Sequence, residues 1–138
     1  MLKKLTLAIF AVIASSMAAA FAQDMSKHSE VPVVSTVVKS GEFAGLNKHK
    51  TTGGVSIVKT ASGYVAILEG DFSLDGAPAP TLGFGNDGFD KKTEFTKLQS
   101  KKGLQVYAIP ANIDPMNYNE FYVWCADFSL ALGVSSLK

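Results

Sequence analysis

The sequence predicts an all-β fold, a single antiparallel β-sandwich or barrel-like domain that follows a cleaved signal peptide. From residue 33 onward, short β-branched and aromatic runs alternate with glycine and proline, which is the pattern of short strands joined by turns. No segment carries apolar residues at 3.6-residue spacing between helix caps, so long helices are not expected. Helix is expected only as short turns near residues 90–98 or 113–118.

The first 22 residues have the pattern of an export signal. Lys3 and Lys4 precede an apolar stretch over residues 5–20, and Ala20-Phe21-Ala22 then gives the small-x-small pattern of a cleavage site. The apolar stretch is shorter than the roughly 20 residues of a spanning helix, which favours cleavage over an uncleaved anchor. We therefore expect a cut after Ala22 and a periplasmic or secreted protein.

The mature chain then divides into a short lead-in and one domain. Residues 23–32 are polar and have no periodic apolar pattern, so they are expected to be disordered. Residues 33–138 form the predicted β-rich domain, within the usual size range for one domain. No stretch after the signal is long and apolar enough to span a bilayer.

The charge of the chain excludes one class of partner. Without the two lysines of the signal, 11 lysines face 12 acidic residues, and the chain has no arginine. Nucleic-acid binding requires a basic surface, usually with arginine for the phosphates, so no nucleic-acid partner is expected.

Strand predictions follow from the β-type runs in chain order. The runs cover residues 33–38, 55–58, 64–68 and 104–109, and a last and most apolar stretch extends from residue 121 to about residue 134. Gly63 separates the second run from the third, which predicts a hairpin. Pro110 ends the fourth run because proline cannot donate to a strand ladder.

The last stretch contains the only cysteine, Cys125. Alternate residues of a strand face opposite sides. If the strand is continuous, the bulkier face, expected to be core, carries Tyr122, Trp124, Phe128, Leu130 and Leu132, and the other carries Phe121, Val123, Cys125, Ser129, Ala131 and Gly133. Cys125 is then expected beneath a thin cover or exposed, and reactive with a maleimide in the folded protein. A bulge near Ala126-Asp127 would reverse the later faces.

A lone cysteine in an exported protein cannot form an intramolecular disulfide. Cys125 is therefore a buried inert thiol, a reactive thiol, a ligand, or half of an intermolecular bridge. A thiolate needs an electropositive neighbour, and His49 is the candidate partner, in a polar turn before Gly53-Gly54. The two could form a thiolate–imidazolium pair or two axial haem ligands. The alternative for His49 is a solvated side chain of an exposed turn.

Other motifs predict no chemistry. Gly83 to Gly88 fits G-x-G-x-x-G literally, but the motif requires a strand–helix junction in a βαβ unit, so we interpret it as a turn. No protein metal site is predicted, because paired-cysteine and H-E-x-x-H motifs are absent from the sequence. The histidine and methionine of the lead-in, His28 and Met25, are expected to be solvated tail residues.

Several of these segments together carry a family resemblance. In order, they are Gly41-Glu42-Phe43, His49 with residues 51–57, Phe72 with Gly76-Ala77-Pro78, residues 103–110 and residues 122–133. The chain resembles the electron-transfer DM-thirteen family of Skeletor-type proteins, and the final tryptophan-cysteine strand is the most specific element. It departs from the family in lacking the aspartate of a glycine-proline-aspartate-leucine segment, where it has Ala77 to Leu82.

The resemblance implies a β-rich extracytoplasmic module with redox chemistry at its cysteine. Cys125 would act as a bare thiol or, with His49, as a haem ligand, and the partner would be a redox protein or a surface polymer. The alternative is a non-catalytic extracytoplasmic binding or adhesion module in which Cys125 is structural.

Overall fold

The computed structural model describes residues 34–138 and contains ten strands. They are β1 (Ser35–Gly45), β2 (Thr51–Thr52), β3 (Gly54–Thr60), β4 (Gly63–Leu68), β5 (Ser73–Leu74), β6 (Pro80–Gly85), β7 (Thr96–Lys97), β8 (Gln105–Ala108), β9 (Glu120–Cys125) and β10 (Leu130–Ser136). The predicted signal peptide and lead-in lie outside the described residues. Among the described residues, no helix has the length and apolar character needed to cross a membrane.

Eight of these strands form one antiparallel sheet that curls into a nearly closed barrel. Their order is β7-β6-β9-β10-β1-β3-β4-β8, and β2 pairs with β5 in a small second sheet. The predicted all-β class is confirmed, in its barrel-like form. The predicted hairpin is confirmed as well, because β3 and β4 pair from Thr60 opposite Gly63 to Val55 opposite Leu68.

The barrel encloses one apolar core. Its largest fully buried side chains include Phe72, Phe84 and Phe121, and Phe84 packs edge to face on Phe121 with ring centroids 5.0 Å apart. Aromatic pairs in this geometry add attraction beyond the burial of their surface.

The barrel is closed by side chains at a seam between β8 and the residues after β7. The Tyr107 hydroxyl accepts a hydrogen bond from the Gln99 amide at 2.9 Å and donates one to Gln105 Oε1. Gln105 also joins the Ser100 backbone, with Oε1 accepting at 3.0 Å and Nε2 donating at 2.9 Å. Gln105 and Tyr107 thus connect the β7 and β8 edges of the sheet by side-chain hydrogen bonds, where no backbone strand pairing joins them.

Within residues 34–138, helix is limited to two short 3₁₀ turns, at Lys91–Thr93 and Pro115–Asn117, inside the two segments where the sequence allowed it. Asp90 and Asp114 cap them, each accepting a hydrogen bond from the backbone N–H two residues later. Aspartate favours this position because its carboxylate satisfies an amide that the turn leaves unpaired.

The expectation of one continuous strand after residue 121 is wrong. Residues 126–129 form a tight turn, so that β9 and β10 pair as a hairpin with Cys125 opposite Leu130. Ser129 has a φ of 50°, a left-handed conformation that ends extended structure for a non-glycine residue. The interpretation of residues 83–88 as a turn is confirmed only for residues 86–88, because residues 83–85 belong to β6.

Candidate functional site

Cys125 ends β9 and lies inside the barrel. It is 1% exposed and belongs to the core cluster. Within β9 the residues divide between the two faces as predicted, but the assignment of the bulkier face to the core is wrong: Phe121, Val123 and Cys125 point inward, while Tyr122 and Trp124 point outward. The bulky side chains can lie on the outer face because the Phe89 ring covers them there. The alternation of residues along the strand does not reveal this cover.

The outer face of β9 is an aromatic stack. Phe89 lies parallel to Trp124 with ring centroids 4.2 Å apart and meets Tyr122 edge to face at 5.6 Å. A Cβ added to Gly83 would lie 2.7 Å from the Phe89 ring, so only glycine leaves room for it. Burial and the neighbouring Glu120 carboxylate raise the pKa of Tyr122 to about 12, so its hydroxyl stays protonated at neutral pH.

A short segment between β5 and β6, residues 75–79, covers the end of the barrel at Cys125; we call it the strap. The Cys125 thiol donates a hydrogen bond to the Pro78 carbonyl at 3.2 Å. The Ala126 amide donates to the Ala79 carbonyl at 3.3 Å. Ala79 has a φ of 48°, so the strap holds a backbone conformation that is costly for alanine.

His49 holds the other end of the strap. Its Nδ1 lies 3.0 Å from Asp75 Oδ1, the ion pair recorded among residues 34–138. Because an ionised carboxylate only accepts, Nδ1 carries the proton and Nε2 is left facing away from this contact. The hydrogen bond from His49, followed by a backbone hydrogen bond with Lys50, lowers the pKa of Asp75.

The loop that carries His49 is fixed against β10. Asn47 and Lys48 have φ values of 54° and 68°, and the Asn47 side-chain amide donates to the Ala131 carbonyl at 2.7 Å. A Cβ on Gly45 would lie 2.0 Å from the His49 carbonyl oxygen, so glycine is required for the loop to fold back here. The backbone conformation of this loop therefore sets the position of the His49 imidazole.

The strap links the two residues singled out from the sequence. His49 binds its first residue, Asp75, and Cys125 binds Pro78 three residues later. Within residues 34–138, the His49 imidazole and the Cys125 thiol form no hydrogen bond with each other. A direct pairing of these two side chains stays a prediction. Sequence reasoning missed Asp75 altogether, although it directly precedes the Gly76-Ala77-Pro78 segment.

Cys125 was expected either exposed or beneath a thin cover, and the exposed alternative is wrong because the residue is 1% exposed; its reaction with a maleimide in the folded protein stays a prediction. Its sulfur is enclosed by core side chains and by the strap, so a reagent reaches it only after part of the structure opens. Within residues 34–138, no group of three or more His, Cys, Asp or Glu side chains is placed to hold a metal ion.

A haem held by both side chains does not fit this arrangement. The thiol belongs to a residue that is 1% exposed and is directed at the Pro78 carbonyl of the strap, which leaves no open side for an iron ligand bond. The His49–Asp75 contact by itself resembles the support that a ligating imidazole usually has, but Cys125 would need the strap to be displaced.

The chain matches the model of a known protein family. The family model described as electron transfer DM13 matches residues 42–137, a region that contains His49, the strap and Cys125. No curated protein matches the chain significantly, and no solved structure does.

Proposed function

The chain belongs to the electron-transfer DM13 family, and on that premise we propose that it is an exported redox domain that acts through Cys125. The observation that carries the proposal is the position of this thiol. The only cysteine of the chain ends the tryptophan-cysteine strand, and its buried thiol donates a hydrogen bond to the short strap at Pro78.

The chemistry that this position supports is thiol–disulfide exchange with another protein. When the strap moves, the Cys125 thiol loses its proton to water, and the thiolate attacks a disulfide of the partner. A sulfur–sulfur bond forms to Cys125, the partner's own disulfide breaks, and one partner sulfur leaves as a thiolate. Because the chain has no second cysteine, an external thiolate must attack the Cys125 sulfur of the mixed disulfide; a bond forms between these two sulfurs, and the second partner sulfur leaves as a thiolate. The two electrons that reduce the partner disulfide thus come one from Cys125 and one from the external thiol.

His49 is proposed to influence this step through the strap, because its imidazole binds Asp75 at the opposite end of the strap from the Cys125 contact. Movement of the strap away from Cys125 would also alter the Asp75 contact. We therefore assign His49 a positioning role, exerted through the strap.

Mass spectrometry after incubation with glutathione disulfide tests the proposal. The wild-type protein should form a mixed disulfide at Cys125 without denaturant, and Cys125→Ala should form none. His49→Gln should speed the reaction, because it weakens the contact that holds the strap at Asp75, whereas Asn112→Gln, at an exposed position distant in sequence from the site, should leave the rate unchanged. Adduct formation only after unfolding would reject Cys125 as the reactive group and favour the binding module with a structural cysteine.

Export is part of the proposal and has its own test. Its support is the pattern of residues 1–22. N-terminal sequencing of the protein recovered from the periplasm or the culture medium should begin at Gln23. Recovery of the full-length chain from the cytosol alone would contradict the proposal of export.

A further inference from the structure

A second feature lies beside the strap, an open depression of about 620 Å³ with three lysines around it. Its lining consists of Lys50, Thr52, Ser73, Leu74, Asp75, Ser100, Lys101 and Lys102. We call it the lysine depression. It shares Asp75 with the strap, so the two features meet at that residue.

The backbone fixes the three lysines around one short segment. The Lys50 carbonyl accepts a hydrogen bond from the Asp75 amide at 3.0 Å, and the Lys101 carbonyl accepts one from the Leu74 amide at 2.8 Å. Lys102 forms an isolated β-bridge with Ser73. The position of each lysine is therefore set before any ligand arrives.

The positive charge of the lysine depression is not neutralised locally. Asp75 is its one acidic lining residue, and this carboxylate is engaged by His49. Among the described residues, no lysine forms an ion pair with a carboxylate. Residues 34–138 contain ten lysines and ten acidic residues, so the domain is neutral and the excess is a local property of this face.

Two of the three hydroxyl groups in the lysine depression have no hydrogen-bond partner among the described residues. Within the described part of the chain, neither the Thr52 nor the Ser73 hydroxyl has a hydrogen-bond partner, whereas Ser100 binds the Lys102 backbone. Two free hydroxyl donors between three ammonium groups form a surface that is complementary to carboxylates.

The shape and the type of cation favour a broad partner over a small ion. The depression is open, and lysine presents a point charge on a flexible stem, without the fixed bidentate geometry of arginine. Such charges steer and orient a docking protein more than they hold a single group tightly.

We propose that the lysine depression is the docking site for an acidic surface of a partner protein. The proposal rests on the redox function proposed above. It specifies where the redox partner binds and that the partner's binding surface is acidic. A Cβ added to Gly76 would lie 3.6 Å from Lys101 Nζ, so a carboxylate bound at Lys101 lies over the strap. Docking thus brings the partner to the segment that covers Cys125.

The test uses a fluorescent octaglutamate peptide and the full domain, with binding measured by anisotropy at low and at physiological salt. Lys101→Gln with Lys102→Gln removes two charges from the depression. The matched control, Lys91→Gln with Lys92→Gln, removes two charges from an exposed 3₁₀ turn elsewhere. We expect the first pair to weaken binding about three- to tenfold at low salt and the control pair to change it by less than twofold.

Each further outcome has a fixed meaning. Equal loss in both pairs, or loss in neither, would overturn the docking site. Tighter binding of alginate, an acidic polysaccharide, than of the peptide at equal carboxylate concentration would overturn a protein partner and indicate a surface polymer. Cys125→Ala should bind the peptide normally, so failure of the thiol chemistry leaves this test intact.

Chemical-shift changes in NMR spectra should cluster at residues 50–52 and 73–76.

Discussion

Thiol labelling of the folded protein measures how Cys125 becomes accessible. Three hydrogen bonds hold the strap besides the exposed His49–Asp75 contact: Cys125 to Pro78, Asp75 to Lys50 and Ala126 to Ala79. At about 0.5–1.5 kcal/mol each, opening the strap costs about 1.5–4.5 kcal/mol. At about 1.4 kcal/mol per tenfold, the folded protein should label about 10-fold to about 2,000-fold more slowly than the unfolded chain.

If Cys125 became accessible only by global unfolding, the folded protein would be protected from labelling more strongly. A typical domain unfolds with about 5–15 kcal/mol, which corresponds to protection of about 5,000-fold or more. The assay compares the rate of reaction with a maleimide at neutral pH in buffer and in urea, and the free energy of unfolding is measured on the same protein. Protection equal to the global unfolding equilibrium would refute strap opening and return Cys125 to an inert core.

A matched pair of variants locates the opening. Asp75→Asn removes the charge that His49 binds and should raise the labelling rate. Asp127→Asn removes the same charge from the exposed turn after Cys125 and leaves the strap unchanged, so its labelling rate should match that of the wild type. Equal acceleration by both variants would assign the effect to the electrostatics of the thiol and contradict an effect of the strap.

Three further predictions follow from the same contacts. Cys125→Ala should lower the free energy of unfolding by about 1–3 kcal/mol in urea titration, because it leaves a small void and an unpaired Pro78 carbonyl; no loss would show a loosely packed site. Tyr107→Phe should cost about 1–3 kcal/mol by the same titration, because the Gln99 amide loses its acceptor; a neutral result would deny that the hydroxyl fastens the seam. The lowered pKa of Asp75 means that the strap contact is intact above about pH 4 and is lost as the pH falls through the folded value below that; labelling with 4,4′-dithiodipyridine, which reacts in acid, should accelerate there in the wild type and stay flat in Asp75→Asn.

The strand pattern could be predicted from the sequence because it depends on neighbours along the chain. Gly63 between two β-branched runs specifies the β3–β4 hairpin, and Asp90 and Asp114 specify where the 3₁₀ turns begin. The barrel-like closure required more, since β6 begins at Pro80 and reads as a loop. Its pairing with β9 is a contact between residues about 40 positions apart, which no local pattern encodes.

Only part of the candidate site could be predicted, because its contacts also join residues that are far apart in the sequence. Cys125 and His49 could be singled out by residue type, whereas Asp75, which binds His49, is one of several carboxylates in exposed turns. The inward face of β9 could not be assigned, because Phe89 covers Trp124 from a different part of the chain. Side-chain volume alone favoured the wrong face.

The seam that Gln105 and Tyr107 close also bears on how this sequence can change over generations. Replacing Tyr107 alone removes the acceptor of the Gln99 amide, and replacing Gln105 alone removes the acceptor of the Tyr107 hydroxyl and of the Ser100 amide. Each single change therefore leaves a polar group without a hydrogen bond, which is costly, and the two residues are expected to be retained together. A lineage that loses one through a single substitution passes through a less stable intermediate, and this barrier retains the pair even where neither side chain meets a ligand.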